Sequence, residues 1–424
     1  MSYQKKNLLD NILIILFSIY PLAILAGNFI INSFITIIAL IFIFRFFKKE
    51  THFFQYKYDL YLLSFFLISL AINLFFTNNF YLSYQRVLKI FFVIFFVIAF
   101  RFLIINFYQN LKFIYKMWCI IFLIVIFDLI FEFFVGKNIF GQSSVMSGRL
   151  GSFTGDESVV GHYFFGFCLI FLSYLYNQTN KISLNVLFAI LFIIISFLIG
   201  ERANFIKTFI AITIFIFFVY KINYKYKFLS IFLLLISSYV AYLNVSSDYK
   251  ARYFDQIKPI LSCQYNTSYT TNCANGLTNY LSQSKYGAHR NVAKEIFLDN
   301  YFFGVGIKNF RIESANKKYD GLDHKKNHLR VSNHPHDLYY EILSETGIFG
   351  LFCFIIFIFS SIFLSLKNYL QTKNMYQLSG IIIVCLSVLP IIPTGSFLAT
   401  YSSSIFWINY AIMMGYNVIR DTKF

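Results

Sequence analysis

Long apolar runs alternate with short polar segments along almost the whole chain. Each run is close to the roughly 20 residues that an α-helix needs to cross a bilayer, so the pattern predicts an all-α, polytopic integral membrane protein with about twelve transmembrane helices. The predicted spans cover residues 8–25, 28–46, 59–76, 88–106, 115–134, 160–176, 183–199, 203–220, 227–243, 347–366, 377–393 and 398–417.

One polar segment is far longer than the others. It runs from residue 244 to residue 346, between the ninth and tenth predicted spans, and a segment of that length is too long to be a structureless connector in a compact protein. We therefore expect three parts: spans one to nine in residues 1–243, one large folded loop in 244–346, and spans ten to twelve in 347–424.

Composition and charge agree with this class and give it an orientation. The chain is 58% hydrophobic and only 13% charged, about half the charged share of a soluble domain. Its net charge is +17. Lys and Arg fall mainly in alternate short loops, so the positive-inside rule places both termini in the cytoplasm and the 244–346 loop on the outer face. Membrane lipids are expected partners and nucleic acid is not.

The outer loop is itself basic, and it contains a cysteine pair. Two explanations of the charge stay open: contact with anionic lipid headgroups, and an anionic substrate such as a lipid-linked diphosphate. Cys263 and Cys273 bracket a polar Thr/Asn-rich stretch. A disulfide between them would fit an oxidising compartment, and two free thiols are the alternative.

Residues 333–350 close the outer loop and carry the strongest candidate for chemistry. Pro335 is expected to begin a helix capped by one of the two residues before it, with Asp337 in the first turn. Free backbone N–H groups near His336 would then favour its neutral imidazole, which accepts a proton. His336 is therefore the candidate catalytic base. His334 competes for that role, and the alternative is that His336 only caps or packs.

Two arginines are candidates for binding a phosphorylated ligand. Arg202 lies in a hairpin too short to lift it far into water, and ionisable groups at membrane depth are functional candidates. A structural ion pair with Glu201 or snorkelling is the alternative. Arg290 lies in the outer loop. The arginine fork matches phosphate oxygens, and two such forks below a histidine would bind a diphosphate leaving group and stabilise its growing charge.

Other polar residues near the predicted membrane edge are candidates to support this site. They are Arg86, Lys89, Arg149, Asp337 and Glu341, and snorkelling to lipid headgroups is the alternative for the first two. His324 and His328 are four residues apart, a spacing that metal ligands use on a helix. The basic residues between them argue against a metal, and we expect neither a metal nor a cofactor.

Four segments, in order along the chain, resemble the O-antigen ligase and O-antigen polymerase (Wzy-C) superfamily of bacterial membrane glycosyltransferases. His336 and Asp337, nine residues, then Gly347 and Gly350 reproduce the spacing of the family's hallmark, although the family usually has Asn, Ser or Gln after the histidine. The other three segments are G-E-R-A-N-F (200–205), the 289–310 segment with Arg290 before Gly304 and Gly306, and R-L-G-S-F-T-G-D-E-S-V-V-G (149–161).

The resemblance implies a GT-C-like, metal-independent, inverting glycosyltransferase of the bacterial inner membrane with a periplasmic active site. The donor would be a glycan on undecaprenyl diphosphate, His336 the base, and Arg202 and Arg290 the ligands of the diphosphate. A lipid A core acceptor would make the protein a ligase, which we favour slightly, and a lipid-linked glycan acceptor would make it a polymerase. A protein-directed oligosaccharyltransferase, and a flippase or transporter of lipid-linked glycans, remain alternatives. Polar candidates gathered at one face favour an enzyme over a transporter.

Overall fold

The computed structural model describes residues 7–48, 58–157, 159–219, 223–254, 285–320, 329–390, 392 and 395–418. Every regular element in these residues is a helix, as predicted. The α-helices are α1 Leu8–Ser18, α2 Tyr20–Leu25, α3 Asn28–Phe47, α4 Tyr58–Asn73, α5 Phe80–Asn106, α6 Tyr108–Val135, α7 Val160–Thr179, α8 Ile182–Leu198, α9 Arg202–Phe218, α10 Tyr224–Asn244, α11 Ser247–Phe254, α12 Lys285–Asp299, α13 Phe310–Glu313, α14 Leu338–Thr372, α15 Met375–Ser387 and α16 Thr400–Gly415.

Seven of the described helices are long and apolar enough to cross a membrane. They are α3, α4 together with the 3-10 turn Leu74–Phe76, α5, α6, α7, α10 and α14. Three more, α1, α8 and α15, are apolar but shorter. Each predicted span overlaps one or two described helices, so the protein has the helices of a multi-pass membrane protein. The total of twelve crossings and the side on which the large loop lies stay predictions.

The first predicted span is two helices rather than one. The helix α1 ends at Ser18, and α2 begins at Tyr20 with Pro21 in its first turn. Proline has no N–H to continue the hydrogen-bond ladder and its ring clashes with the preceding turn, so the helix breaks just before it.

The bundle is centred on α7, α15 and α16. Most side chains of α16 are buried, including the large residues Trp407 and Tyr410, and Tyr163 and Phe164 of α7 are fully buried. A helix that is apolar on all sides and buried on all sides belongs in the middle of a bundle. By contrast, α10 leaves apolar side chains such as Leu235 exposed, as expected of a helix that faces lipid.

The described part of the large loop has an apolar core of its own. Helix α12 contributes Val292 and Ile296, and these pack with Val305, Phe310 and Tyr319. The loop is therefore folded where it is described. Both cysteines of the predicted disulfide, Cys263 and Cys273, lie outside the described residues, as do His324 and His328.

Main-chain hydrogen bonds dock this loop on the start of α14. The bonds run from the N–H groups of Val305 and Gly306 to the carbonyls of Ser344 and Glu345 (3.0 and 2.8 Å), and from Ile348 N–H to the Tyr301 carbonyl (2.9 Å). The loop segment 301–306 thus pairs with the helix on both sides of residue 347, where α14 is kinked.

Two glycines permit this close approach. Gly304 and Gly347 both have φ near +65°, a conformation that glycine adopts without steric cost. A Cβ at Gly347 would lie 2.4 Å from the Phe302 backbone, and one at Gly304 would lie 2.5 Å from the Glu345 carbonyl carbon. Close backbone packing therefore explains the motif glycines at positions 304 and 347.

The same loop segment is held on its other side by the turn between α4 and α5. The Asn309 side-chain amide donates to Thr77 Oγ1 (2.8 Å) and Ser83 Oγ (2.9 Å). The Asn73 side-chain amide donates to the Phe303 carbonyl (2.6 Å). The loop is consequently wedged between the start of α5 and the kink of α14, which positions the residues described next.

Candidate functional site

Helix α14 begins at Leu338, and Asp337 is its N-cap. The Asp337 Oδ1 atom accepts hydrogen bonds from the N–H groups of Tyr339 (3.1 Å) and Tyr340 (3.3 Å). The predicted helix start at Pro335 is wrong, because His336 has φ +56° and cannot continue a right-handed helix. The first-turn N–H groups that we expected to act on His336 bind the Asp337 carboxylate instead.

His336 lies in a group of rings. Its imidazole centroid is 4.0 Å from that of His334, 5.2 Å from that of His289 and 5.1 Å from the ring of Tyr286. We call these four residues the histidine group. His289 is fully buried, and both it and Tyr286 come from α12. The structure therefore brings His334 and His336 to one place and adds His289, which sequence reasoning did not single out.

Arg290 is the link between α12 and α14. Its Nε atom lies 3.2 Å from Asp337 Oδ2, and the two side chains are 18% and 10% exposed. Arg290 directly follows His289 in α12, and Asp337 directly follows His336. The structure thus places Arg290 beside the histidine group, held by the Asp337 carboxylate.

Arg202 belongs to a different group, at the start of α9. Glu201 is the N-cap residue there, and it accepts hydrogen bonds from the Gly161 N–H (2.9 Å) and from the Asn204 side chain. Arg149 Nη2 lies 3.5 Å from Glu201 Oε1. Burial raises the pKa of the Glu201 carboxyl above its ordinary value, and Arg149 partly offsets this rise.

Arg252 and Tyr253 of α11 are electrostatic neighbours of Arg202. Among the ion pairs of the described residues, Glu201 is paired with Arg149 and not, as in the alternative that we considered, with Arg202. The single clamp of Arg202 and Arg290 that the sequence predicts stays a prediction.

A second polar group lies one turn further along α14. Glu341 and Glu345 are both almost fully buried, and we call them the acidic pair. Glu341 accepts hydrogen bonds from the Phe397 N–H (2.9 Å) and from the Ser396 hydroxyl. Lys308 donates to the same Ser396 hydroxyl (3.0 Å). Burial lowers the pKa of the Lys308 ammonium, and the acidic pair opposes this shift.

Two basic side chains, Arg86 of α5 and Lys308, are electrostatic neighbours of the acidic pair. Lys89 of α5 and Arg311 of α13 are in turn neighbours of Arg86 and Lys308, and we call these four residues the basic cluster. Lys89 donates to the Thr400 hydroxyl at the start of α16. Three of the predicted supporting residues, Arg86, Lys89 and Glu341, therefore lie in one region. Lys308, Arg311 and Glu345 lie there too. The spacing of Asp337, Glu341 and Glu345 by four residues, which puts them on one helix face, was the sequence signal for Glu345.

The start of α16 connects these groups at one end of the bundle. Thr400 contacts Lys89, and the ring of the next residue, Tyr401, lies 6.5 Å from that of His162. His162 follows Gly161, whose N–H binds Glu201. Contacts therefore lead from the Arg202 group to the basic cluster, and the histidine group precedes the acidic pair by about one turn at the start of α14. We call these groups together the polar band.

The order of motifs, the helical bundle and the docked loop can now be compared with known proteins. Residues 186–355 match the family model of O-antigen ligase, Wzy-C. This match confirms the resemblance that the motifs predicted. No curated protein matches the chain.

We call the matching residues, 186–355, the O-antigen ligase segment; they extend from α8 to just beyond the kink of α14. It contains Arg202, Arg290 and His336 together with the glycines that dock the loop. Arg86, Lys89 and Arg149 lie outside it, the first two on α5 and Arg149 in the segment between α6 and α7. Chemically, the band offers imidazoles able to accept a proton and guanidinium groups able to bind phosphate oxygens.

Proposed function

We propose that this protein is a membrane glycosyltransferase that moves a glycan from undecaprenyl diphosphate to a sugar hydroxyl, on the periplasmic side of the bacterial inner membrane. The observation that carries the proposal is the histidine group beside the Arg290–Asp337 pair, inside the O-antigen ligase segment. A base next to a guanidinium group is what transfer of a sugar from a phosphate leaving group needs.

In the proposed step, the acceptor hydroxyl oxygen attacks the anomeric carbon of the donor sugar. His336 takes the hydroxyl proton as the new glycosidic bond forms. The bond between the anomeric carbon and the diphosphate oxygen breaks, and its electron pair leaves with undecaprenyl diphosphate. Attack from the face opposite the leaving group inverts the anomeric configuration. The step needs no metal, as the family resemblance implies.

Arg290 and Arg202 bind the diphosphate in this proposal. Arg290 lies beside the histidine group and acts on the phosphate next to the reacting sugar. Arg202 lies further along the polar band and acts on a more distant part of the same lipid-linked donor. His334 orients His336 through their ring contact, and Arg149 fixes the turn before Arg202 through Glu201.

A ligase that uses a lipid A core acceptor is our preferred form of the proposal, and a polymerase that uses a lipid-linked glycan is the second. A flippase or transporter agrees less well with the structure than an enzyme does, because transporters gather polar residues near the bilayer midplane. Here the polar band follows the ends of α5, α9, α14 and α16, which supports an enzyme that works at the membrane surface.

The test is glycan transfer by the purified protein in lipid nanodiscs, with a polyprenyl-diphosphate-linked glycan as donor. His336→Ala should lower the transfer rate about 10²–10⁴-fold, the usual contribution of a general base, while donor binding stays near that of the wild type. His334→Ala is the matched control and should cost far less. Unchanged transfer by His336→Ala, or a larger loss in His334→Ala, would remove His336 from its role.

The product separates the two forms of the proposal. A ligase adds one glycan to a lipid A core acceptor, whereas a polymerase produces a ladder of longer lipid-linked chains. Both acceptors should be offered to the same preparation. Product with one acceptor then shows that the protein is active, so that a lack of product with the other acceptor reflects its preference.

A further inference from the structure

A cavity opens at the end of the bundle opposite to the polar band. The last turns of α7, α14 and α16, three helices that begin near the polar band, meet the starts of α6 and α15 around it. We call it the tyrosine cavity, after four of the residues that line it: Tyr108, Tyr115, Tyr376 and Tyr416. Its volume is about 520 Å³, within the range of roughly 300–1,000 Å³ that ligand sites have.

Three of the tyrosines form a fixed wall of the cavity. The ring of Tyr376 is stacked on that of Tyr115, with centroids 4.0 Å apart, and lies parallel to that of Tyr416 at 6.3 Å. The Tyr115 and Tyr416 hydroxyl oxygens are 3.2 Å apart. Behind the wall, Asn368 donates to the Tyr416 carbonyl (2.8 Å) and to Gln377 Oε1 (2.9 Å). All three rings are buried, so this wall is built by the fold itself, as is usual for ligand sites.

The other polar residues of the cavity give it a positive rim. Lys112 is exposed and Lys373 is half-buried, and none of the described residues that line the cavity has a carboxylate. The side-chain amides of Asn177 and Gln178 also line it. Lys373 has φ +54°, and its N–H donates to the Tyr369 carbonyl (2.7 Å). This bond ends α14 and holds the backbone of Lys373 at the edge of the cavity.

The charge and the position of the cavity point to one kind of ligand. Two ammonium groups with no carboxylate beside them suit a phosphate, and amide groups suit hydroxyls. The end of a membrane bundle lies level with the lipid headgroups, where tyrosine is enriched. Basic pockets between membrane helices on the cytoplasmic side bind anionic headgroups, and the cytoplasmic side is where the positive-inside rule places Lys112 and Lys373.

We propose that the tyrosine cavity binds the headgroup of an anionic glycerophospholipid. Lys112 and Lys373 bind its phosphate, and the amides of Asn177 and Gln178 bind its glycerol hydroxyls. A lipid held there joins the far ends of α7, α14 and α16, so it stabilises the bundle that carries the polar band. The proposal does not depend on the proposed function. A soluble phosphate ester has the same chemistry as the headgroup, and the experiment separates these two sources.

The test is native mass spectrometry of the full-length protein in a nonionic detergent, titrated with phosphatidylglycerol. The wild type should bind one molecule more tightly than any further copies. Lys112→Gln and Lys373→Gln should each weaken this binding about fivefold, and the double variant about thirtyfold, the usual effect of a lysine near an anionic headgroup. Phosphatidylglycerol should also raise the melting temperature of the wild type, and this rise should be smaller in the double variant.

Matched variants separate a site from general attraction to charge. Lys116 of α6 and Lys367 of α14 are exposed and do not line the cavity, so Lys116→Gln combined with Lys367→Gln removes the same charge and should leave the first Kd unchanged. Gln178→Trp keeps the charge but narrows the cavity, and should weaken binding about tenfold or more. The melting temperature without lipid shows whether each variant is folded.

Three results would overturn the proposal. The first is an equal loss of affinity in the two double variants, which would mean general attraction. The second is wild-type affinity in both Gln178→Trp and the Lys112/Lys373 double variant. The third concerns the source of the phosphate: glycerol 3-phosphate should not displace the bound lipid, and displacement at similar concentrations would make the ligand a soluble phosphate ester.

Discussion

Asp337 has two tasks that one substitution can separate. Its Oδ1 atom caps α14, and its Oδ2 atom pairs with Arg290. Asparagine caps helices about as well as aspartate does, so Asp337→Asn keeps the cap and removes the charge. The freed guanidinium then binds phosphate without competition from a carboxylate. We expect Asp337→Asn to lower the KM for the lipid-linked donor.

The size of the effect follows from charge and distance. A carboxylate and a phosphate that share one guanidinium lie about 6 Å apart and repel by about 3 kcal/mol at an effective dielectric constant of about 20. The Arg290 and Asp337 side chains are 18% and 10% exposed, so water and salt reduce this value to about 1 kcal/mol. The KM should therefore fall about fivefold.

The assay is steady-state transfer by the purified protein at several donor concentrations, together with thermal unfolding. Asp337→Asn should keep the melting temperature of the wild type. Asp337→Ala, the matched control, loses the cap as well and should be less stable by about 1 kcal/mol. A higher KM in Asp337→Asn would refute the reasoning, because it would mean that the carboxylate positions Arg290 for the donor and does not compete with it.

Three further substitutions test the packing around the site. Gly347→Ala should destabilise the protein by about 3 kcal/mol or more, roughly the sum of a strained φ and a backbone clash. Gly136 also has a positive φ but has open space around it, so Gly136→Ala should cost only about 1 kcal/mol. Thermal unfolding of the two variants measures the difference. Asn309→Ala should expose the loop to limited proteolysis by removing its bonds to the α4–α5 turn, and a digestion rate like that of the wild type would contradict this. Ser396→Ala should lower stability by about 1–3 kcal/mol, because buried Glu341 loses a donor, and chemical denaturation measures the difference.

The helices could be predicted from the sequence because their signal is local. Apolar runs of bilayer length mark each predicted span, and each overlaps described helix. The start of α14 could not be placed in the same way. Both Pro335 and Asp337 are good residues for the first positions of a helix, and the left-handed backbone at His336, which decides between them, depends on its contacts with α12.

Motifs in the sequence identified part of the site, and the rest could be found only from the folded structure. Arg290 and His336 lie 46 positions apart in the chain numbering, yet their motifs identified both, and the structure places them side by side. The closeness of Arg202 and Arg252 depends on how α11 packs against α9, as in the ring contact of Phe205 with Tyr253, and neither segment's sequence indicates this packing. The same holds for the basic cluster, whose members come from two separate parts of the chain, α5 and the large loop.

The wedged loop segment has a consequence for exchanging parts between related proteins. Residues 301–309 bond through their main chain to the kink of α14 and through Asn309 to the turn before α5. In a chimera that receives only the outer loop of a related protein, the new loop would have to pack against the original α14 kink and the original turn before α5. Donor and acceptor preference should therefore transfer only when the turn, the loop and the first turns of α14 are exchanged as one unit.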